Sequence, residues 1–530
     1  MQKIRSFVKD SSAIPFMLFL AVTAAGVAVI LSFSLGMMNY DLWDYIEGVF
    51  WADATVKAGA VINPEYIYYY VLPFGSNIIM APFVKIFGTS FLANQLGMIV
   101  FFVIYASLSF RLARSLFPGD ARSRLFFVSI LSLFIFTYVG DNLLHHLLTY
   151  GIAFVCLIGE ISCIIGIDRN DRSAGDWLLL IILCLWSALN GFSVVLSTVP
   201  VIAAFSVICF RNGAFFRRQS IRLILVMTAI SAAGLAVFLY YDKTALTQDM
   251  YQSRFVLDDV GNVVENTVID LLTDYLICFN YTPSRDAVFS VLGVYYLIKI
   301  LFAAAVALVP VVLLFTDKDE EQQKDPHVSL LMLSNLFVMA VCLAEYILME
   351  SSVLRYLFNF ILSLFMICAW AITKHIKEKN SYLTIFALFA LVILMTAKTV
   401  LYTVPGGSSV QERFERVNDV IQEEGLSRGY VCNRAWKALD LISEGGCYNT
   451  TININCMSGQ IYVENDRIYL YETEKPEEVD RFYILVDDER YDSYSDWITG
   501  WIRCRVVEDA YIYIFDIDSW DQIFGGTENG

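Results

Sequence analysis

The chain is 530 residues long, 57% hydrophobic and only 17% charged, with a mean hydropathy of +0.58, a composition that excludes an ordinary water-soluble globule. Its formal charge is −16, and 11 Lys/Arg against 25 Asp/Glu from Thr403 onward put −14 of that in the C-terminal tail. An acidic tail on an apolar body has no basic stripe to displace counterions from phosphates, which excludes nucleic-acid binding.

The N-terminus, Met1-Gln-Lys-Ile-Arg, precedes an apolar run near 13–37. That run is longer than a signal-peptide core and has no small-residue cleavage site, so it reads as a signal anchor with a cytoplasmic N-terminus. A helix crossing ~30 Å of hydrocarbon takes about 20 apolar residues. Runs of that kind fall near 13–37, 91–110, 125–139, 149–167, 177–193, 194–210, 223–241, 291–315, 328–349, 354–373 and 382–402, about eleven spans of a multi-pass cell-membrane protein. The excess of Lys and Arg on the cytoplasmic side orients them. The gaps placed inside carry Arg111, Arg114, Arg122 and Arg124; Arg169 and Arg172; Arg211, Arg217, Arg218 and Arg222; and Lys374, Lys377 and Lys379. The apolar segment Leu72–Gly88 contains Pro73, Pro82, Asn77 and Lys85, which suit a helix lying at the interface better than one crossing it.

The expected organisation is therefore an α-helical polytopic membrane domain, 1–402, and an extracytoplasmic acidic α/β domain, 403–530. Two long outside loops belong to the membrane domain, about 38–90 and about 242–290. In the tail, Pro405-Gly-Gly-Ser-Ser opens a predicted helix Val410–Glu424. Predicted strands follow at Gly429–Val431, Tyr448–Ile454, Gln460–Val463, Arg467–Tyr471, Arg481–Val486, Trp501–Val507 and Ala510–Phe515, with helices at Arg434–Ser443 and Tyr491–Thr499. Cysteines before residue 403 read as small hydrophobes. Cys432, Cys447, Cys456 and Cys504 permit two disulfides in three pairings.

The first outside loop begins Met38-Asn-Tyr-Asp-Leu-Trp-Asp-Tyr-Ile-Glu. Asp41, Asp44 and Glu47 recur every three residues, sharing one drifting helical face interleaved with Trp43, Tyr45 and Trp51. Such a face suits a sugar, with rings stacking on it while a carboxylate takes a proton from an acceptor hydroxyl. It equally describes an interfacial helix with an aromatic belt. A second polar cluster, Asp141, His145 and His146, admits proton transfer or a hydrogen-bonded cap. Arg355, near the outer end of a span, fits a bidentate clamp on a lipid phosphate or a side chain snorkelling to the headgroups. Arg254 in the second long loop is a weaker candidate of the same kind. Lys299 and Glu345 lie within spans, where a charge is costly unless paired or wet, and are candidates for lining a donor cavity.

Beyond Asp44 the chain reads Trp51-Ala-Asp-Ala-Thr-Val-Lys-Ala-Gly-Ala-Val-Ile-Asn-Pro-Glu-Tyr, then Leu72-Pro-Phe-Gly-Ser-Asn and Phe87-Gly-Thr-Ser-Phe-Leu-Ala-Asn-Gln-Leu-Gly-Met. This resembles the first periplasmic loop and second span of polytopic glycosyltransferases with the GT-C fold, the superfamily of protein O-mannosyltransferases and the transferase that adds aminoarabinose to lipid A. The resemblance implies a first-loop carboxylate as catalytic base, with Asp41 and Asp44 as the candidates and Glu47 a lesser one. It also implies a polyprenyl-phosphate or polyprenyl-diphosphate sugar as donor, with Arg355, Arg254 and Lys299 at its phosphate, and a glycan, lipid or protein as acceptor. Many members carry adjacent Asp-Glu, whereas the acids here are spaced by three. The sequence itself demands no cofactor. The oligosaccharyl branch would imply a divalent cation, for which Asp44, Asp141 and His146 are the ligands on offer.

No Walker loop, dinucleotide fingerprint or nucleophile elbow occurs. The acidity and aromatics of the tail, Trp436, Trp497, Trp501, Tyr511 and Tyr513, suit glycan contacts in acceptor recognition, with a purely structural lid as the alternative. Two rivals to the enzyme remain: a flippase for lipid-linked sugars, which calls for broken helices and polar pairs at the midplane, and a non-catalytic relative that uses its tail to bind.

Overall fold

The computed structural model of the chain describes residues 13–32, 42–68, 74–145, 149–170, 173–214, 217–244, 260–281, 291–316, 325–348, 354–379, 388, 391–392, 409–432, 434–442, 450–453, 469, 474–487 and 498–524. In chain order its helices are α1 (Ala13–Leu31), α2 (Leu42–Ala58), α3 (Ser76–Phe87), α4 (Phe91–Leu116), α5 (Ala121–Leu131), α6 (Tyr138–His145), α7 (Thr149–Arg169), α8 (Ala174–Leu189), α9 (Thr198–Arg211), α10 (Arg218–Thr244), α11 (Val260–Ile277), α12 (Val291–Thr316), α13 (Pro326–Leu348), α14 (Phe358–Lys379) and α15 (Ser409–Glu423). Among the described residues, seven helical segments are long and apolar enough to cross a membrane, those of α1, α4, α7, α9, α10, α13 and α14. An eighth is Ala121–Phe136 taken with Tyr138–His145 as one bent span. The expected span at 382–402 falls almost wholly outside the described residues.

Contacts divide the chain into two compact units. The first holds residues 1–30, 99–238 and 253–403, and its elements among the described residues are all helices. Its innermost member is α7, with 89% of its apolar window buried, and α10, with 17% buried, lies at the outside. Leu225 on α10 and Leu301 and Leu308 on α12 are exposed, the arrangement expected where the solvent is lipid rather than water.

The predicted span 125–139 is not straight. Asp120 caps α5 by accepting from the Ser123 amide (3.0 Å) and hydroxyl (2.6 Å). The chain then tightens into a 3₁₀ turn, Ser132–Phe136, and leaves at 92° as α6. Thr137 makes the corner, its Oγ1 donating to the Phe134 carbonyl and accepting from the Gly140 amide (3.2 Å). A Cβ at Gly140 would collide with the Phe134 and Ile135 backbone, so only glycine permits so tight a return. The freed Phe136 carbonyl accepts from Lys299 Nζ at 2.6 Å.

The second unit holds residues 31–98, 239–252 and 404–530. At 12 residues α3 is about 18 Å long, too short to cross ~30 Å of hydrocarbon. It packs on α2, and Asn77 brackets the pair by donating to Thr55 Oγ1 (2.7 Å) and the Val61 carbonyl (2.8 Å). Asn63 donates to the Ala54 carbonyl (3.2 Å), and its amide donates to Tyr68 Oη (3.0 Å). Burial pushes the Tyr68 hydroxyl up to about 12, so it stays protonated.

The tail forms a mixed five-stranded sheet of β1 (Arg428–Val431), β2 (Thr450–Asn453), β3 (Arg481–Asp487), β4 (Arg503–Val507) and β5 (Ala510–Asp516), in the order β2-β1-β3-β5-β4. The β2-β1-β3 pairings are parallel and the β3-β5-β4 pairings antiparallel. The predicted helix Arg434–Ser443 is a 3₁₀ helix, Arg434–Leu441. The predicted strand Gln460–Val463 and most of the predicted helix Tyr491–Thr499 fall outside the described residues. Ile67 of the first loop packs within the tail's own core of Tyr430, Phe482, Ile484, Val486 and Phe515. Beside it Tyr66 pairs with Tyr469 as an isolated antiparallel bridge. Tyr469 Oη donates to Asp53 Oδ2 on α2 (2.9 Å), and Lys57 pairs with that carboxylate (2.8 Å) while lying 4.3 Å over the Tyr469 ring.

Two sequence expectations for the tail need correction. Cys504 is a free thiol, which removes the two-bridge arrangement; Cys447 and Cys456 lie outside the described residues. Trp436, expected to be available to a glycan, is buried: it stacks on Phe414 at 4.4 Å and donates to Asp487 Oδ1 at 2.6 Å.

Two outcomes are expected. A Cβ at Gly429 would overlap the buried Tyr483 ring on the neighbouring strand, so Gly429→Ala should destabilise the sheet by about 1–3 kcal/mol; an unchanged thermal midpoint of the full chain would refute that packing. Tyr469→Phe removes one hydrogen bond to a carboxylate and should speed amide exchange in the C-terminal half of α2 several-fold. Unaltered exchange there would mean that the tail does not hold α2.

Candidate active site

The candidate acids sit at the start of α2. Asp41 immediately precedes the helix and lies outside the described residues, as does the side chain of Asp44 in the first turn. Glu47 is buried one turn on, 4% exposed. The helix that the acid spacing requires is therefore formed, and its far end is held by Asp53, Thr55 and Lys57 through the contacts described above.

In the all-helical unit, polar side chains gather where α6, α7, α11, α13 and α14 begin or end. Asn280, just past α11 in a left-handed conformation (φ 60°), donates to Asp141 Oδ2 on α6 at 3.3 Å. The Tyr138 amide donates to the Cys278 carbonyl (3.0 Å), fixing α6 on the same corner. Tyr346 Oη donates to Asp274 Oδ2 at 2.8 Å. Arg355 occupies a 3₁₀ turn, Leu354–Leu357, at the entrance to α14, where its charge acts on Glu345 near the end of α13 and on the Tyr150 hydroxyl at the start of α7. The rings of Tyr138 and Tyr150 both lie edge-on to Phe358, at 6.1 and 5.8 Å. This end of the unit thus brings a guanidinium, the Glu345 carboxylate and the Tyr150 hydroxyl into one electrostatic neighbourhood.

Two of the expected residues are held differently. His145 is buried, its Nε2 2.7 Å from the Val29 carbonyl, which occupies that ring nitrogen within the helical packing. Lys299 is 2% exposed and donates to Phe136 at the break between α5 and α6. Arg254 and His146 lie outside the described residues. Of the cation set Asp44, Asp141 and His146, only the Asp141 side chain is described, and no group of three or more His, Cys, Asp or Glu among the described residues is arranged to hold a metal ion.

The sequence reading did not single out Tyr150, Asp274 or Tyr346, and it gave Asn280 only as the acceptor of a glycosylation sequon, Asn280-Tyr-Thr. Asp274 and Asn280 sit on and just after α11, inside a segment read as loop, and the tyrosines are indistinguishable in sequence from an aromatic belt. Glu160 was also passed over. It is fully buried mid-way along α7, with Oε1 accepting from Thr198 Oγ1 at 2.6 Å, and a lone acid in a long apolar run was the available signal.

No family model matches the chain, and no curated protein matches it in sequence. Among solved structures it is similar to the crystal structure of ArnT from Cupriavidus metallidurans bound to undecaprenyl phosphate, with a TM-score of 0.52, 11% identity, and coverage of 93% of this chain and 97% of that one. It also matches ArnT from the same organism in the apo state, with a TM-score of 0.46, 12% identity, and coverage of 96% and 98%. The chain thus has a fold similar to that of this undecaprenyl-phosphate-bound ArnT structure, a polytopic helical body that carries a C-terminal sheet domain.

Proposed function

We propose that this chain is an integral-membrane, inverting glycosyltransferase that moves a sugar from a polyprenyl-phosphate-linked donor to an acceptor on the outer face of the membrane. The reading rests on the ArnT fold over nearly the whole chain, together with an arginine set at a span end among a carboxylate and tyrosines. That similar structure holds undecaprenyl phosphate, the class of lipid this reading assigns to the donor. Nucleotide sugars are cytoplasmic, so an outward-facing transferase draws its sugar from a lipid carrier.

In the proposed step the carboxylate of Asp44 or Asp41 takes the proton of an acceptor hydroxyl, whose oxygen attacks the anomeric carbon as the bond from that carbon to the phosphate oxygen breaks. The leaving polyprenyl phosphate carries the negative charge away, and Arg355 stabilises it through bidentate donation. Asp141, held by Asn280, orients the acceptor or a cation beside it. Lys299 contributes by holding the corner on which Asp141 stands. The acceptor is a glycan, lipid or protein of the cell surface.

Two observations favour a second reading. A span broken at 92° and an acid buried within α7 are features of carriers that move a polar headgroup across the bilayer, so a flippase for lipid-linked sugars is the alternative that the test must separate.

The test is sugar release from a labelled panel of polyprenyl-phosphate sugars by the purified full chain, with acceptor extract and divalent cation supplied. Wild type should turn over one donor. One of Asp41→Asn and Asp44→Asn should lower turnover by roughly 10²–10⁴-fold, and Arg355→Gln should lower kcat/KM by roughly 10–100-fold. Donor that crosses vesicles unhydrolysed would instead establish the flippase.

A further inference from the structure

At the other end of the helical unit the arginines that orient the spans do more than mark a side. Arg111 and Arg114 on the last turns of α4, Arg124 on α5 and Arg169 at the end of α7 line one cavity of about 460 Å³, together with Ser162 of α7 and Asp176 of α8. This lies about 28 Å along α7 from Tyr150, nineteen residues on at 1.5 Å each.

The charges in this cavity are unequally satisfied. Arg111 is ion-paired with Asp176, and that approach is permitted by Gly166, where a Cβ would collide with the Asp176 carboxylate. Arg169 donates to the Ser115 carbonyl (2.6 Å) and Arg124 Nε to the Phe117 carbonyl (3.0 Å), bonds that orient the guanidinium planes without neutralising them. Arg114 makes no hydrogen bond or ion pair with any described residue, and lines the same space. Four guanidinium groups therefore face one carboxylate. Ser162, 1% exposed, turns into this lining with a buried hydroxyl that has no partner among the described residues. A buried hydroxyl without a partner carries a desolvation penalty that a bound acceptor oxygen would remove.

Arginines that only snorkel to headgroups point outward from a convex helix end. These come from three helices onto a concavity of the size small ligands occupy, two of them pre-set by backbone carbonyls. Among the described residues no aromatic ring lines the cavity, so they offer no stacking face to a nucleobase. The chemistry that matches converging guanidinium forks plus a hydroxyl donor is a phosphate ester on a small polar alcohol.

We propose that this cavity is a binding site for a phosphate ester, separate from the proposed donor site. Its ligand is either the headgroup of an anionic phospholipid or a soluble phosphate monoester, which share this chemistry. The site goes beyond the glycosyltransferase reading and does not require it, because none of its measurements depends on donor turnover.

The test uses the purified full chain with two probes: glycerol phosphate, titrated by calorimetry in detergent, and phosphatidylglycerol, read by native mass spectrometry against a phosphatidylcholine background. Arg114→Gln should weaken binding by tenfold or more with an unchanged thermal midpoint, since Arg114 has no partner among the described residues. Arg169→Gln is the second cavity variant. Arg211→Gln, an exposed arginine at the end of α9 outside the cavity, should stay within twofold of wild type. Saturable glycerol phosphate binding with this pattern assigns a soluble ester. Retained phosphatidylglycerol with this pattern and no response to glycerol phosphate assigns a lipid headgroup. The proposal is overturned if neither probe binds the wild type, or if Arg211→Gln loses as much as the cavity variants, which would reduce the effect to general surface charge.

Discussion

The burial of Ile67 inside the sheet of the C-terminal domain is the contact on which the architecture of the second unit depends. A segment of the first loop supplies part of the core of a domain some four hundred residues away in sequence, 3% exposed among Tyr430, Phe482 and Phe515. Burying an isoleucine is worth roughly 1.5–3 kcal/mol, and the polar contacts of Tyr469 with Asp53 and Lys57 add direction to that attraction. With Asn77 and Asn63 bracketing the other side, α2 is clamped along its C-terminal half. The candidate acids belong to the opposite end of the same helix, so the clamp fixes the axis that carries them.

The helical unit is governed by a different constraint. In a hydrocarbon environment each backbone group that loses its helical partner must find another, and the right-angle break after Phe136 frees several. Thr137 takes the Phe134 carbonyl, Lys299 takes that of Phe136, and the Tyr138 amide finds the Cys278 carbonyl. A buried ammonium is thereby matched to a corner that would otherwise be unsatisfied. The same corner delivers Asp141 to Asn280, so structural repair and the polar cluster are parts of one arrangement.

Much of this was legible in the sequence wherever a single period carried the signal. The predicted helix Val410–Glu424 is α15, Ser409–Glu423, and the strands predicted at Arg481–Val486 and Ala510–Phe515 are β3 and β5 to within one residue. The apolar runs read as spans at 13–37, 91–110, 149–167 and 354–373 correspond to helices that meet the requirements of length and hydropathy. The run at 125–139 is apolar throughout and hides its corner, because what breaks the helix is the fit of Gly140 against a preceding turn rather than a proline or a charge. Trp436 was read as available to a sugar because indole looks alike in sequence whether it faces water or, as here, Phe414 and Asp487. Lys299 was rightly noticed as out of place in a span, but its acceptor is a main-chain carbonyl, and no residue type announces one. At the candidate site, the acids could be placed on a helix by their spacing, whereas the company of Arg355 comes from α7 and α13 and has no local pattern.

The bond between Tyr469 and Asp53 spans 416 positions of the chain. At the usual pace of synthesis, about 5–20 residues per second, on the order of 20–80 s pass between the emergence of the first partner and that of the second. During that interval α2 exists with neither Tyr469 nor the sheet that receives Ile67. The helix bearing the candidate acids therefore completes its structure among the last steps of biogenesis, and a chain cut short before the tail would carry every acid of the first loop without the clamp that aims them.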